Sequence, residues 1–274
     1  MDRYSVLMSV YYREDPVFFS QAIQSMMDQT VVTNDFVLVC DGPLTLELDS
    51  VIEHFDKQYP NVFNIIRLSE NIGIGAAVNI GLHQCKNDLV AKMDADDVSV
   101  PDRCEKQLRL FEDNPMLTVV GGYIEEFDQN IDIPISIREV PTDNEGIRRF
   151  SRRRQPFNNV TVMYRRDAVL AVGGYRSLSR CEDYDLYVRL LHSGYYAENL
   201  AEVLVKVRAG QKGLSRRASF ATLKGVVQSR WNALKIGYIS LADFMVCCIG
   251  EFVIVICPGV IRKFIYNSFF RKLC

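Results

Sequence analysis

The sequence predicts an α/β fold: a mostly parallel sheet with helices on both faces, continued by a C-terminal helical extension. Three observations carry this. Strand-like and helix-like segments alternate four times between Ser5 and Met93 with short links, the pattern of a doubly covered parallel sheet. The strand-like runs carry little polar interruption, which suits strands buried on both faces. The chain has 274 residues, 48% hydrophobic and 24% charged, enough for one large domain over residues 1–210 and a smaller appendage over 211–274.

The elements follow in order. Ser5–Tyr11 is the first strand. Asp15-Pro16 caps a helix whose apolar positions Phe18, Phe19, Ala22, Ile23, Met26 and Met27 recur at helical spacing. Phe36–Cys40 is the second strand, ended by the turn Asp41-Gly42-Pro43. Leu48, Val51, Ile52 and Phe55 mark a second helix, and Phe63–Leu68 a third strand. Asn71–Gly75 is a glycine-containing loop opening a helix over Ala76–Cys85, and Leu89–Met93 is the fourth strand. Ser99 and Pro101 read as the cap and first turn of a helix reaching Asp113. Leu117–Tyr123 is another strand, residues 128–141 an irregular surface excursion, and Thr142 the cap of a short helix running into Arg148–Arg154. Pro156–Tyr164 returns to strand and Gly173–Arg176 turns. Glu182–Leu191 is a helix with an acidic first turn, Ala201–Arg208 the last strand, and Ala218–Lys235 a helix.

In such sheets ligands collect beyond the carboxyl ends of the strands. Tyr11-Tyr12-Arg13, Asp41-Gly42, Ser69–Gly75 and Asp94-Ala95-Asp96-Asp97 all end there. Three carboxylates in four positions repel one another, and a fold tolerates them mainly when a cation or a ligand's donors neutralise them. A solvated acidic turn is the plain alternative. The glycine loop lacks the full GxGxxG and does not follow the first strand, which argues against a dinucleotide-binding dehydrogenase.

The net charge of −2 conceals an asymmetry: residues 1–199 carry 20 Lys+Arg and 31 Asp+Glu, whereas 200–274 carry 12 and 3. The acidic part suits a metal-dependent site and disfavours nucleic acid; the basic part suits an anionic surface such as a membrane leaflet. Eight cysteines without metal-ligand spacing or CxxC suggest free thiols in a reducing cytosol, and Met1–Tyr4 runs into a strand pattern rather than a secretory signal. The three histidines, His54, His83 and His192, stand in no catalytic motif. Five arginines within Arg148–Arg154 form either a solvated face or an anion site. Gly210–Arg217 is either a surface linker or a loop whose Lys212, Arg216 and Arg217 meet phosphates. Phe244–Cys257 is short for a membrane span and contains Glu251, which favours an interfacial or partner-packed helix. Arg262, Lys263, Arg271 and Lys272, interleaved with Phe264, Tyr266, Phe269 and Phe270, suit an anchor at headgroup level. A hairpin packed on the main domain, or a homodimer contact, is the alternative.

Taken together, Ser5–Tyr11, Asp41, Asn71, Gly73, Asp94–Asp97 and Glu182-Asp183-Tyr184-Asp185 resemble the family 2 glycosyltransferases of the Rossmann-like GT-A fold, over about residues 3–210. The chain is most similar to bacterial enzymes that build capsular, exopolysaccharide or O-antigen repeat units. It departs from most relatives at Tyr12, where Asn is usual, and at Cys40, where a second Asp is usual. The resemblance implies an inverting, metal-dependent transferase. It would move a hexose or N-acetylhexosamine from a UDP-sugar to a lipid-pyrophosphate-linked saccharide, peripherally on the inner face of the bacterial cytoplasmic membrane. Tyr11 and Asp41 would hold the uracil, with Ser9, Arg13, Asn71 and Gly73 nearby. Asp96 would approach the ribose and the metal, Asp97 would bind Mn²⁺ or Mg²⁺, and Asp94 would support them. Asp183 would be the catalytic base with Glu182 beside it. Arg152, Arg153, Lys212 and Arg216 would meet acceptor or phosphate.

The chemistry agrees with these roles. Expelling a nucleoside diphosphate builds charge that a hard, oxygen-ligated cation stabilises, and a second carboxylate must take the acceptor hydroxyl's proton. Two other classes stay open: a non-catalytic nucleotide-sugar-binding scaffold subunit, and a sugar-phosphate nucleotidyltransferase. The latter wants a glycine- and lysine-rich triphosphate loop near the N-terminus, where Ser9–Asp15 offers only Arg13 and no glycine.

Overall fold

The computed structural model describes residues 3–178, 180–208, 219–257 and 272–273. Lys212, Arg216, Arg217 and the interleaved basic and aromatic residues of 258–271 lie outside the described residues.

The parallel core is built from β1 (Tyr4–Val10), β2 (Asp35–Cys40), β3 (Phe63–Arg67) and β4 (Leu89–Asp94), in the spatial order β4-β1-β2-β3. All of β2 is buried, and from Phe36 onward it reads as an unbroken apolar run; the buried Asp35 at its start receives the Ser5 hydroxyl and the Lys86 N–H. α1 (Pro16–Met27), α2 (Leu46–Gln58) and α4 (Arg103–Asp113) cover one face through Phe19, Ile23, Ile52, Phe55, Leu108 and Phe111. α3 (Ile74–Gln84) and α7 (Glu182–His192) cover the other through Val78, Leu82, Leu186, Tyr187 and Leu190. Asp15 caps α1 as expected, accepting from the Val17 and Phe18 backbone N–H groups.

Beyond β4 the sheet turns antiparallel. β8 (Met163–Arg165) pairs with β4, then β6 (Leu117–Phe127) with β8, β7 (Pro134–Arg138) with β6, and β10 (Lys272–Leu273) with β7. β9 (Tyr196–Arg208) runs parallel along β6, and its far end pairs antiparallel with β5 (Val98–Ser99). That last pairing sets the end of β9 against the acidic segment that follows β4.

Several local expectations change. Ser99 is not a helix cap: it lies in β5 opposite Val205 and receives the Gln29 side-chain amide, while α4 starts later, after Asp102. Asp143, rather than Thr142, caps α5 (Asn144–Ser151), accepting from Gly146 N at 2.8 Å. Residues 128–141 are not wholly irregular, because β7 lies inside them; its proline occupies the first strand position, where a missing N–H is tolerated. Pro156–Tyr164 holds a 3-10 turn at Asn159–Thr161 before the short β8, and α6 (Arg166–Ala171) follows directly.

The C-terminal extension is a helical pair, α8 (Phe220–Lys235) and α9 (Leu241–Ile256). α8 packs on α7 through Ala233 against Tyr184 and Val188, and Asn232 donates to Asp185 at 3.0 Å. No described helix is long and apolar enough to cross a membrane.

A buried polar network fixes the end of β4. The Arg103 guanidinium, fully buried, donates to the carbonyls of Lys92 (2.8 Å) and Val162 (3.3 Å) and to the Gln107 side chain. Gln107 in turn donates to the carbonyls of Val120 and Thr161. Replacing Arg103 strands those acceptors without water. Arg103→Met is expected to lower unfolding free energy by about 2–4 kcal/mol, measured by urea denaturation.

Candidate active site

The strand ends converge as the parallel topology requires. A cleft of about 330 Å³ is lined by Ser9, Tyr11, Asp41, Asn71, Gly73, Asp94 and Asp96, all expected from the sequence, together with Glu14 and Ile74. Asp41 organises its upper wall. Its carboxylate accepts from Ile72 N (2.8 Å) and Gly73 N (3.1 Å), and its carbonyl accepts from the Asn71 amide at 3.1 Å. Gly42 makes this closure possible: its φ is +89°, and a Cβ there would stand 2.8 Å from Asn71 N. Arg13 is not in the cleft. It is exposed and donates to the Tyr12 hydroxyl at 2.8 Å, its guanidinium beside the Tyr12 ring.

The acidic segment divides by direction. Asp94 and Asp96 line the cleft, whereas Asp97 is buried behind them and accepts the Arg208 backbone N–H at 3.0 Å. Burial, then the charges of Asp96 and Asp94, push the Asp97 carboxyl well above the usual range. Arg208 braces the segment from β9. Its Nε donates to the Asp96 carbonyl at 2.9 Å, and its guanidinium lies over the Phe18 and Phe127 rings. Lys92, buried, ion-pairs with Asp94.

Among the described residues no three His, Cys, Asp or Glu side chains gather as a metal cage. Mg²⁺ and Mn²⁺ do not demand one: one or two carboxylates with diphosphate oxygens and waters complete their shell. The hard oxygen donors of Asp94 and Asp96, which line the cleft, fit such an ion; Asp97, the expected metal ligand, lies behind them with its carboxylate taken up by the Arg208 backbone N–H.

The second acidic pair opens α7. Cys181, at φ 64°, turns the chain into the helix. Asp183 accepts from the Gln155 amide at 2.6 Å and from the Tyr184 N–H at 2.7 Å. Glu182 lies against Gly75 in the first turn of α3, where a Cβ would stand 3.4 Å from its Cγ. The pair therefore adjoins the cleft at its Gly73–Ile74 wall. Asp185 belongs elsewhere: it pairs with Arg189 at 2.8 Å and faces Arg176, tying α7 to the Gly173–Gly174 turn, whose Gly174 carbonyl also receives Arg189. Arg152 and Arg153 remain half-exposed, but both ion-pair with Asp243 of α9, at 3.1 and 2.7 Å.

Three contributors escape the motif reading. Lys92 was visible as a lone cation in an apolar strand two residues before Asp94, hence on the same face. Gln155 and Arg208 sit in no pattern, and only the fold brings them to the acids.

Burial, then Asp183, push the Glu182 carboxyl upward. A raised carboxyl disfavours the folded state above its folded pKa, and the penalty vanishes as pH falls toward the unfolded value. Glu182→Gln should therefore raise the melting temperature at pH 8, with the gain shrinking toward pH 4 in a thermal-shift series.

The family model "Glycosyl transferase family 2" matches residues 5–174, more than half the chain. Among curated proteins, an uncharacterised glycosyltransferase of Haemophilus influenzae is 36% identical over 98% of this chain and 100% of its own. The UDP-Gal:alpha-D-GlcNAc-diphosphoundecaprenol beta-1,3-galactosyltransferase of Escherichia coli is 32% identical over 98% and 97%. The amylovoran biosynthesis glycosyltransferase AmsE of Erwinia amylovora is 36% identical over 82% and 83%. Among solved structures, the mannosyltransferase PcManGT of Pyrobaculum calidifontis, in complex with GDP-Man and Mn²⁺, superposes with a TM-score of 0.67 at 17% identity, covering 92% of this chain and 69% of that one. S. aureus TarS 1-349 with UDP gives 0.66 at 13%, covering 97% and 75%. These likenesses bear out the GT-A fold, and the sequence matches bear out the resemblance to bacterial surface-polysaccharide enzymes: the chain belongs to glycosyl transferase family 2.

Proposed function

We propose that the protein is an inverting glycosyltransferase that uses a UDP-sugar with Mn²⁺ or Mg²⁺ and extends a lipid-diphosphate-linked saccharide in bacterial surface-polysaccharide synthesis. One observation carries the reading: Asp41, the Asn71–Gly73 loop and the Asp94–Asp96 strand end line one cleft, and Glu182-Asp183 adjoins its wall. The Escherichia coli relative, named for a UDP-sugar and a diphosphoundecaprenol acceptor and matched along nearly its whole length, supports both substrates. The Mn²⁺ named with the mannosyltransferase supports the ion.

Each group then has a task. Tyr11 and Asp41 bound the base pocket, and the peptide N–H groups that Asp41 orders shape the loop beside it. Asp96, with Asp94 beside it, and the donor diphosphate would hold the divalent cation, which would offset charge on the leaving diphosphate, while Asp97 supports the segment from behind. Gln155 and the Tyr184 N–H fix the Asp183 carboxylate, and free lone pairs remain to take the acceptor hydroxyl's proton as its oxygen attacks the anomeric carbon. The attack comes opposite the departing UDP, so a single displacement inverts the centre. A covalent nucleophile is unnecessary.

The acceptor's lipid places the enzyme at a membrane face. α9 turns Leu241, Val246, Ile249, Phe252 and Ile256 outward, each well exposed. With the basic C-terminal sequence, that face supports peripheral docking of residues 211–274 on the inner leaflet, while residues 1–210 carry the chemistry.

Asp183→Asn should cut sugar transfer at least about 100-fold while UDP affinity, read by calorimetry, stays unchanged. Full transfer by this variant would remove Asp183 as base. Asp96→Ala should abolish both transfer and metal-dependent donor binding. Ile249→Glu/Phe252→Glu should stop cosedimentation with anionic phospholipid vesicles without lowering turnover of a water-soluble acceptor analogue.

A further inference from the structure

Lys92 is buried to 2% exposure beside a cleft lined by acids. Alternation along β4 sends Val90, Lys92 and Asp94 to one face, the face whose apolar members Val90, Leu186 and Tyr187 join β4 to α7. The backbone beneath it is held at both groups: Lys92 N donates to the Val162 carbonyl at 2.9 Å, and its own carbonyl receives Arg103 at 2.8 Å. The side chain thus leaves from a fixed point. Its ammonium ion-pairs with Asp94, whose carboxylate is 35% exposed and lines the cleft.

A lysine at such a depth is costly unless paired, and a methionine would fill the space without the desolvation. Its partner is not a core group but a wall of the site. On the glycosyltransferase reading given above, we propose that Lys92 is a positioning residue: its ammonium holds the Asp94 carboxylate toward the cleft and sets a fixed positive charge beneath the acidic strand end. Without it, Asp94 swings free in an acid cluster.

The test is a double-mutant cycle on the full chain, with donor turnover and UDP affinity measured for wild type, K92M, K92R, D94N and K92M/D94N. K92M should lose at least about tenfold in kcat with UDP affinity held within about threefold, K92R should recover most of that loss, and K92M should cost less than about twofold more in the D94N background. Melting temperature alone would report a structural role; the kcat-specific loss, the rescue by charge and the non-additivity would not follow from one. Unchanged kcat in K92M, additive losses, or a folded K92R as impaired as K92M would each overturn the proposal. If K92M does not fold, K92Q, which offers Asp94 a donor without the charge, is read in its place. A wild type that turns over no nucleotide sugar sinks the functional reading and the role of Lys92 with it; wild-type turnover with an unaffected K92M sinks the Lys92 assignment alone.

Discussion

The mutual repulsion of Asp94, Asp96 and Asp97 at the end of β4 is the constraint around which the rest is built. Left alone, three close carboxylates would splay or protonate. The fold holds them by several independent braces. The Arg103–Gln107 network clamps the backbone of Lys92 behind them. Arg208, delivered by the β5–β9 pairing, donates to Asp97 through its backbone and to the Asp96 carbonyl through its side chain. Lys92 pairs with Asp94 from below. Asp94 and Asp96 line the cleft side, and on the proposed function that is the side a cation and a diphosphate would occupy.

The same topology supplies the second acid pair. Chain alternation builds the donor side from residues before Asp97, yet α7, which returns much later, packs on the face of α3 and brings Glu182 against Gly75. On the proposed roles, leaving-group stabilisation would rest on the end of β4 and proton removal on the start of a helix held by Asp185, Arg189 and Asn232.

Much of this was legible in the sequence, for a physical reason. Strands buried on both faces are mostly apolar, so the acids at their carboxyl ends, Asp41 and Asp94, mark where backbone leaves the core and ligands can reach it. Asn71 and Gly73 were legible because a glycine loop before a helix has few other uses. The features that stayed hidden depend on distant partners. Ser99 looked like a cap because its true role is pairing with Val205, and β5 is only two residues long. Arg13 looked like a cleft residue until Tyr12 offered its hydroxyl. Arg152 and Arg153 read as either a solvated face or an anion site, and the acid that meets them, Asp243, lies about ninety residues on in a helix of its own.

The central claim is that the acidic strand end binds a uridine nucleotide sugar through a divalent cation. Calorimetric titration of UDP-sugars and GDP-sugars in Mn²⁺, and again in EDTA, tests it most directly. Binding of a UDP-sugar in Mn²⁺ that disappears in EDTA, with GDP-sugars weaker throughout, is the result this account requires. Equal affinity in Mn²⁺ and EDTA would contradict it.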